Sequence, residues 1–169
     1  TIQAFETVVK KFNIGIDYAR LTDSTDWEAK LQPSTRLIFL ESPSNPLNEI
    51  ADLNKIAELS SKNGIISVVD NCICTPALQN PLEFGIDLSL HSATKFIDGQ
   101  GRSLGGIIAG NKNLIEELKK NLEDLKYPKY YFRETTRRSP AGVMNNAWIR
   151  RGDYAQTWKL SPNNKEQRT

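Results

Sequence analysis

The spacing of apolar positions alternates along this chain between a helical period of about 3.6 residues and short continuous runs. Ile2, Phe5, Val8, Val9 and Phe12 recur at helical spacing and predict an amphipathic helix that stops near Asn13 and Gly15. A weakly alternating strand is expected over residues 14–21, then a brief helix opened by Thr25 and Asp26 and closed by Pro33. Residues 36–41 read as a strand buried on both faces, the kind found in parallel sheets, and Pro43 and Pro46 bracket the loop that follows. Asp52 can cap a helix whose apolar face is Leu53, Ile56, Ala57 and Leu59, with Gly64 at its end. Residues 65–70, 86–91 and 106–109 read as further strands, and Asn111 caps a helix carrying Leu114, Ile115, Leu118, Leu122 and Leu125. Strands alternating with helices predict an α/β domain with a mainly parallel sheet and flanking helices. Past Leu125 the pattern decays, and one last helix is expected around residues 144–149.

Composition narrows this only a little. A chain of 169 residues with 38% hydrophobic content can hold one domain with a core, and 25% charged residues is ordinary. Charge is unevenly spread. Residues 127–169 carry nine Lys or Arg against three Asp or Glu, a net +6, which leaves −4 on residues 1–126. No apolar run approaches the roughly 20 residues that a membrane helix needs. The first residues show no basic, apolar leader pattern, and the chain opens at once on a helix without an initiator Met. A cytoplasmic protein is expected, here as a piece that lacks its true start. Cys72 and Cys74 are too close together to staple a fold. A zinc site ordinarily takes four ligands and His91 is the chain's one histidine, so both cysteines read as small apolar fillers and no metal is expected.

Candidate chemistry lies where ligands bind in open α/β sheets, beyond the carboxyl ends of the strands. Asn45 follows the first buried strand, Asp70 ends the second, and His91-Ser92-Ala93-Thr94-Lys95 closes the third. An acid, a pair of hydroxyls and a lysine converging there suit an aldehyde cofactor that carries a phosphate. Each residue also has an ordinary reading: a lysine in a polar loop is usually solvated, an aspartate at a strand end caps a turn, and Ser92 and Thr94 are common turn residues. On spacing alone the chain is an α/β domain with a candidate ligand site.

Three segments, in this order and separation, say more: Glu41-Ser42-Pro43-Ser44-Asn45-Pro46-Leu47, Val68-Val69-Asp70-Asn71, and His91-Ser92-Ala93-Thr94-Lys95. Together they resemble the signature of the cystathionine gamma-synthase family of pyridoxal-phosphate (PLP) enzymes. Phe96 to Arg102, then Leu104-Gly105-Gly106, and the opening Thr1-Ile2-Gln3 are most similar to its O-succinylhomoserine sulfhydrylase branch. The resemblance runs from Thr1 to about Leu125. It implies a partial large domain of the aspartate-aminotransferase (fold type I) architecture over residues 1–126. Residues 127–169 would then be a divergent basic tail where the small C-terminal domain begins. It implies that Lys95 joins the cofactor through a Schiff base and moves protons at the substrate carbons. Asp70 would hold the pyridine nitrogen protonated, Ser92 and Thr94 would bind the phosphate, and Asn45 the ring hydroxyl.

The reaction so implied is gamma-replacement on an activated homoserine ester by sulfide or cysteine, giving homocysteine or cystathionine in a homo-oligomeric enzyme. A cystathionine or methionine gamma-lyase is an alternative within the family. Family members extend beyond both ends of this chain, with a substrate-binding arginine in the C-terminal part. A non-catalytic remnant that at most binds PLP or a partner subunit is therefore the alternative outside catalysis. Tyr127, Tyr130, Tyr131 and Phe132 interleave with Lys129 and Arg133 as in single-strand nucleic-acid platforms. A segment shaped to pack on a further domain accounts for them better, and no nucleic-acid partner is expected.

Overall fold

The structure is a computed structural model that describes residues 1–100, 104–124, 130–134 and 146–151, with side chains as far as Asn121. Its elements are α1 (Ile2–Thr7), α2 (Ser24–Lys30), β1 (Leu37–Glu41), α3 (Leu53–Asn63), β2 (Ile66–Asp70) and α4 (Thr75–Leu78). They continue as β3 (Leu88–Ser92), β4 (Gly105–Gly110), α5 (Lys112–Asp124), β5 (Tyr130–Glu134) and β6 (Asn146–Arg151). The strands form one sheet in the order β1-β2-β3-β4-β6-β5. The pairs β1–β2 and β2–β3 are parallel, with Glu41 opposite Asp70 and Asp70 opposite Leu90. From β4 onward the pairing is antiparallel, Ser92 facing Gly106 and Ile107 facing Ile149.

Helices cover both faces of this sheet. In α3, Leu53, Ile56, Ala57 and Ser60 recur at i, i+3, i+4 and i+7 and are the buried residues of the helix. They pack with Ile38, Leu40 and Val69 in the larger core cluster, joined from outside by Trp27 and Leu31 of the α2 region. On the opposite face Ile115 of α5 packs with Val68 and Leu88, flanked by Phe39, Leu90 and Ile108. The alternation of side chains along a strand is what sends Val69 to one helix and Val68 to the other. Burying Val69 completely contributes about 2 kcal/mol.

Caps set the helix ends as the sequence predicts. The Asp52 carboxylate accepts from the Lys55 N–H at 3.1 Å, and Gly64 closes α3 in the left-handed region at φ +63°. Asn111 Oδ1 accepts from the Asn113 N–H at 2.9 Å at the start of α5.

Three expectations are corrected. The first helix is not continuous: it breaks at Val8 into α1 and a single tighter turn, Val9–Phe12. Three successive β-branched residues, Thr7, Val8 and Val9, weaken it there, and Phe5, set edge-on to Phe39 with ring centroids 5.5 Å apart, is its aromatic anchor on the sheet. Residues 14–21 form no strand. They are irregular chain, held by hydrogen bonds from Tyr18 Oη to Glu6 at 2.7 Å and from Gln32 to Asp17 at 3.0 Å. The helix expected around residues 144–149 is replaced, from Asn146, by the strand β6, because ladder pairing with β4 and β5 overrides local preference. Residues 144 and 145, Arg102 and the boundary expected after residue 126 lie outside the described residues.

Candidate functional site

Asp70 is the last residue of β2 and Ser92 the last of β3, so two neighbouring parallel strands end side by side. By strand alternation both lie on the α5 side of the sheet, in line with buried Val68 and Leu88. Between them sits Cys72, which is buried. Its N–H donates to Asp70 Oδ1 at 3.1 Å, forming a local turn that the strand-end aspartate closes. Its Sγ accepts the Ser92 N–H at 2.7 Å. Burial, and then hydrogen bonding to the Asp70 carboxylate, push the Cys72 thiol up to about 11, against the pull of the Ser92 N–H and of Lys95.

After Ser92 the chain makes one wide turn, Ala93–Ile97, in which Lys95 departs from helical geometry at φ −87°, ψ −115°. The Asp98 N–H returns to the Ala93 carbonyl and the Gly99 N–H to the Lys95 carbonyl, both at 2.9 Å. Gly99 takes φ +68° there, a conformation that suits a residue without a Cβ. The Lys95 side chain is exposed. Thr94 Oγ1 accepts the Gly105 N–H at 3.0 Å and donates to the Gly105 carbonyl at 3.3 Å, pinning the lysine turn to the start of β4.

Asn45 lies in the loop after β1, four residues past Glu41, which is in register with Asp70. It is exposed, and its N–H donates to Glu41 Oε2 at 3.3 Å. Among the described residues no hydrogen bond joins Asn45 to Asp70, Ser92, Thr94 or Lys95. The loop is held from the far side by Gln79, whose Nε2 donates to the Ser42 carbonyl at 2.8 Å and to Asn71 Oδ1 at 2.9 Å. Asn71, fully buried, donates Nδ2 to the carbonyls of Thr75 at 3.2 Å and Gln79 at 2.7 Å. His91 is buried on the α3 side, its Nε2 3.0 Å from Ser89 Oγ, while Nδ1 has no hydrogen-bond partner among the described residues. Burial lowers its pKa, opposed by the Asp70 carboxylate and the Asn71 backbone.

Of the five residues expected from the sequence, Asp70 and Ser92 are joined through Cys72. Thr94 and Lys95 share the next turn, and Asn45 stands apart on the neighbouring loop. Sequence reasoning missed Cys72, Asn71 and Gln79. A cysteine two residues past a strand-end aspartate was a legible turn signal, but nothing local marks a glutamine whose partner, Ser42, is 37 residues away. Among the described residues no group of three or more His, Cys, Asp and Glu could hold a metal ion. No described helix is long and apolar enough to cross a membrane.

A carboxylate, two hydroxyls and an amine lie at the ends of adjacent parallel strands and on the turn that follows, where open α/β sheets bind ligands. This is a PLP-dependent α/β domain, part of the large domain of the fold type I architecture. The chain belongs to the Cys/Met metabolism PLP-dependent enzyme family, which it matches over residues 1–147. It is 50% identical over 118 residues to the O-succinylhomoserine sulfhydrylase of Pseudomonas aeruginosa, covering 70% of this chain and 29% of that protein. Against the L-methionine gamma-lyase of Pseudomonas putida, identity is 39% over 118 residues, 69% of this chain and 30% of the lyase. The cystathionine gamma-lyase of Lactobacillus plantarum, solved with L-serine, superposes with a TM-score of 0.70 at 30% identity over 74% of this chain and 33% of that one. The chain thus spans about a third of the length of the relatives it matches.

Proposed function

We propose that this chain is the cofactor-holding wall of a gamma-replacement enzyme of methionine biosynthesis. Its substrate would be an activated homoserine ester, O-succinyl- or O-acetylhomoserine. The bond from the gamma carbon to the ester oxygen breaks, releasing succinate or acetate, and the sulfur of sulfide or cysteine, having given up its proton, bonds to that carbon, giving homocysteine or cystathionine. The observation that carries this reading is that Asp70 and Ser92 end the neighbouring strands β2 and β3, bridged by Cys72, with Lys95 on the turn that follows. The choice of reaction rests on the higher identity to the sulfhydrylase than to the gamma-lyase.

Bound PLP supplies an electron sink for negative charge developing at the substrate alpha carbon. Within that frame, the Asp70 carboxylate would hold the proton on the ring nitrogen. Ser92 and Thr94 would present their hydroxyls to the phosphate, and Asn45 would meet the ring hydroxyl. The Lys95 amine would hold the cofactor aldehyde and serve as the acid–base that carries protons at the substrate alpha and beta carbons. The working enzyme would be a cytoplasmic homo-oligomer that completes the site from further segments.

The openness of this site favours a second reading, a chain that holds PLP or a partner subunit without turnover. Lys95 is exposed, and Phe96 and Leu104 beside its turn are each 65% exposed. One experiment separates the two. The chain is mixed with PLP, reduced with borohydride and mapped by peptide mass, then assayed with O-succinylhomoserine and sulfide. A pyridoxyl group confined to Lys95, absent in Lys95→Ala, together with homocysteine, supports the enzyme. The same label without product supports the cofactor-holding reading, and oxo-acid formation from methionine supports a gamma-lyase. Scattered or absent labelling in a chain shown by circular dichroism to be folded overturns the cofactor assignment.

A further inference from the structure

Of the two cysteines, Cys72 does not behave as an apolar filler. It is the residue that ties Asp70, the last of β2, to Ser92, the last of β3. Its N–H closes the turn on Asp70 Oδ1, and its sulfur takes the N–H of Ser92 from across the sheet, 20 residues further along the chain. The backbone link between these strand ends stops at the Asn71 N–H on the Leu90 carbonyl, at 2.8 Å, and the Ser92 N–H beyond it is taken by the Cys72 sulfur. Asp70 and Ser92 are also the two residues read here as meeting opposite ends of the cofactor, ring nitrogen and phosphate. Their separation decides whether one ligand can reach both.

We propose that Cys72 is a positioning residue of the cofactor site, its thiol held between the Asp70 carboxylate and the Ser92 N–H so that both anchors keep one geometry. This deepens the function proposed above and rests on it for the identity of the ligand. The chemistry suits a protonated thiol. An S–H can donate to the carboxylate while the sulfur accepts from the backbone, whereas a thiolate would repel Asp70. Burial and Asp70 together hold the proton on, with the thiol pushed up to about 11. The charged or titratable groups that act on it are Asp70 and Lys95, with His91 adjacent to Ser92 on the opposite face of β3. Cys72 would touch neither substrate nor reacting atoms, so its effect reaches the cofactor through Asp70 and Ser92.

Two measurements test this, one of them without cofactor. In a Cys74→Ser chain, the S–H stretching band of Cys72 is recorded by infrared spectroscopy with Asp70 and with Asp70→Asn. A hydrogen bond to a carboxylate is stronger than one to an amide, so the band is expected to move to higher frequency in Asp70→Asn. An unchanged band means the thiol and the carboxylate are not coupled, and overturns the proposal whether or not the chain binds PLP.

The second measurement is PLP affinity and the pH midpoint of the bound cofactor's visible absorbance. Cys72→Ala is expected to weaken affinity about tenfold, the equivalent of about 1.4 kcal/mol, and to displace the midpoint. Cys72→Ser, which keeps a donor and an acceptor at that place, is expected to restore both. Ala and Ser variants that fall equally short would mean that sulfur volume alone matters, and would overturn the positioning role. Absence of PLP binding in the unsubstituted chain would count against the proposed function, and the infrared result would then decide the role of Cys72 by itself.

Discussion

Replacing Asn71 by alanine removes the side chain that holds the α4 hook and the loop after β1 against the end of β2. The amide is fully buried and makes three hydrogen bonds, two donated to the carbonyls of Thr75 and Gln79 and one accepted from Gln79 Nε2. Each buried bond contributes about 1 kcal/mol net, and leaving its partner unsatisfied costs about 1–3 kcal/mol. Gln79 Nε2 keeps its second acceptor, the Ser42 carbonyl, at 2.8 Å, so its loss counts at the low end. The sum is about 3 kcal/mol, a large part of the roughly 5–15 kcal/mol that stabilises a domain. Urea unfolding followed by far-ultraviolet circular dichroism is expected to show a clearly lower midpoint with an unchanged slope. Asn71→Asp should be worse at neutral pH, since it turns a carboxylate toward two carbonyl oxygens. A loss below about 1 kcal/mol in Asn71→Ala would refute the reasoning and mean that water enters and replaces the amide.

Two further outcomes follow from the same geometry. His91, the chain's one histidine, has its pKa lowered by burial, below the roughly 6.5 of an unfolded imidazole. The unfolded chain then binds the proton more readily, so stability present above about pH 6.5 is lost as pH falls toward the folded value. Urea midpoints measured from pH 7.5 down to 5 should drop, and His91→Gln should flatten that drop; parallel curves for the two proteins would contradict it. The second outcome compares two glycines by thermal unfolding. A Cβ on Gly110 would stand 2.5 Å from the Asp87 carbonyl oxygen and from Leu88 Cδ2, so Gly110→Ala should cost about 1–3 kcal/mol through overpacking. Gly64→Ala meets no atom within 4 Å and should cost only the left-handed strain, about 1 kcal/mol. A loss at Gly110 no larger than that at Gly64 would show that the Asp87 carbonyl and Leu88 give way around the added methyl.

Much of this protein was legible in its sequence, and for a common reason. The caps Asp52, Gly64 and Asn111, the i, i+3, i+4 and i+7 face of α3, and the apolar runs of β1, β2 and β3 depend on neighbours within about one turn or one strand. The order of Asn45, Asp70 and Lys95 behind those strands, and the family they point to, were readable for the same reason. What lay outside that reach was decided by the tertiary structure. Residues 14–21 carry a weak strand pattern, yet in the fold a bond donated by Tyr18 to Glu6 and one accepted by Asp17 from Gln32 hold them rather than a sheet partner. The helix expected around residues 144–149 gives way, from Asn146, to a strand that finds a ladder on β4. Cys72 looked like filler until β3 brought the Ser92 N–H to its sulfur, and nothing near Gln79 in sequence announces its bond to the Ser42 carbonyl. A hydrogen bond between residues 20 or 37 apart has no local period to announce it. It exists only because the parallel crossovers β1-α3-β2 and β2-α4-β3 return distant strand ends to one edge.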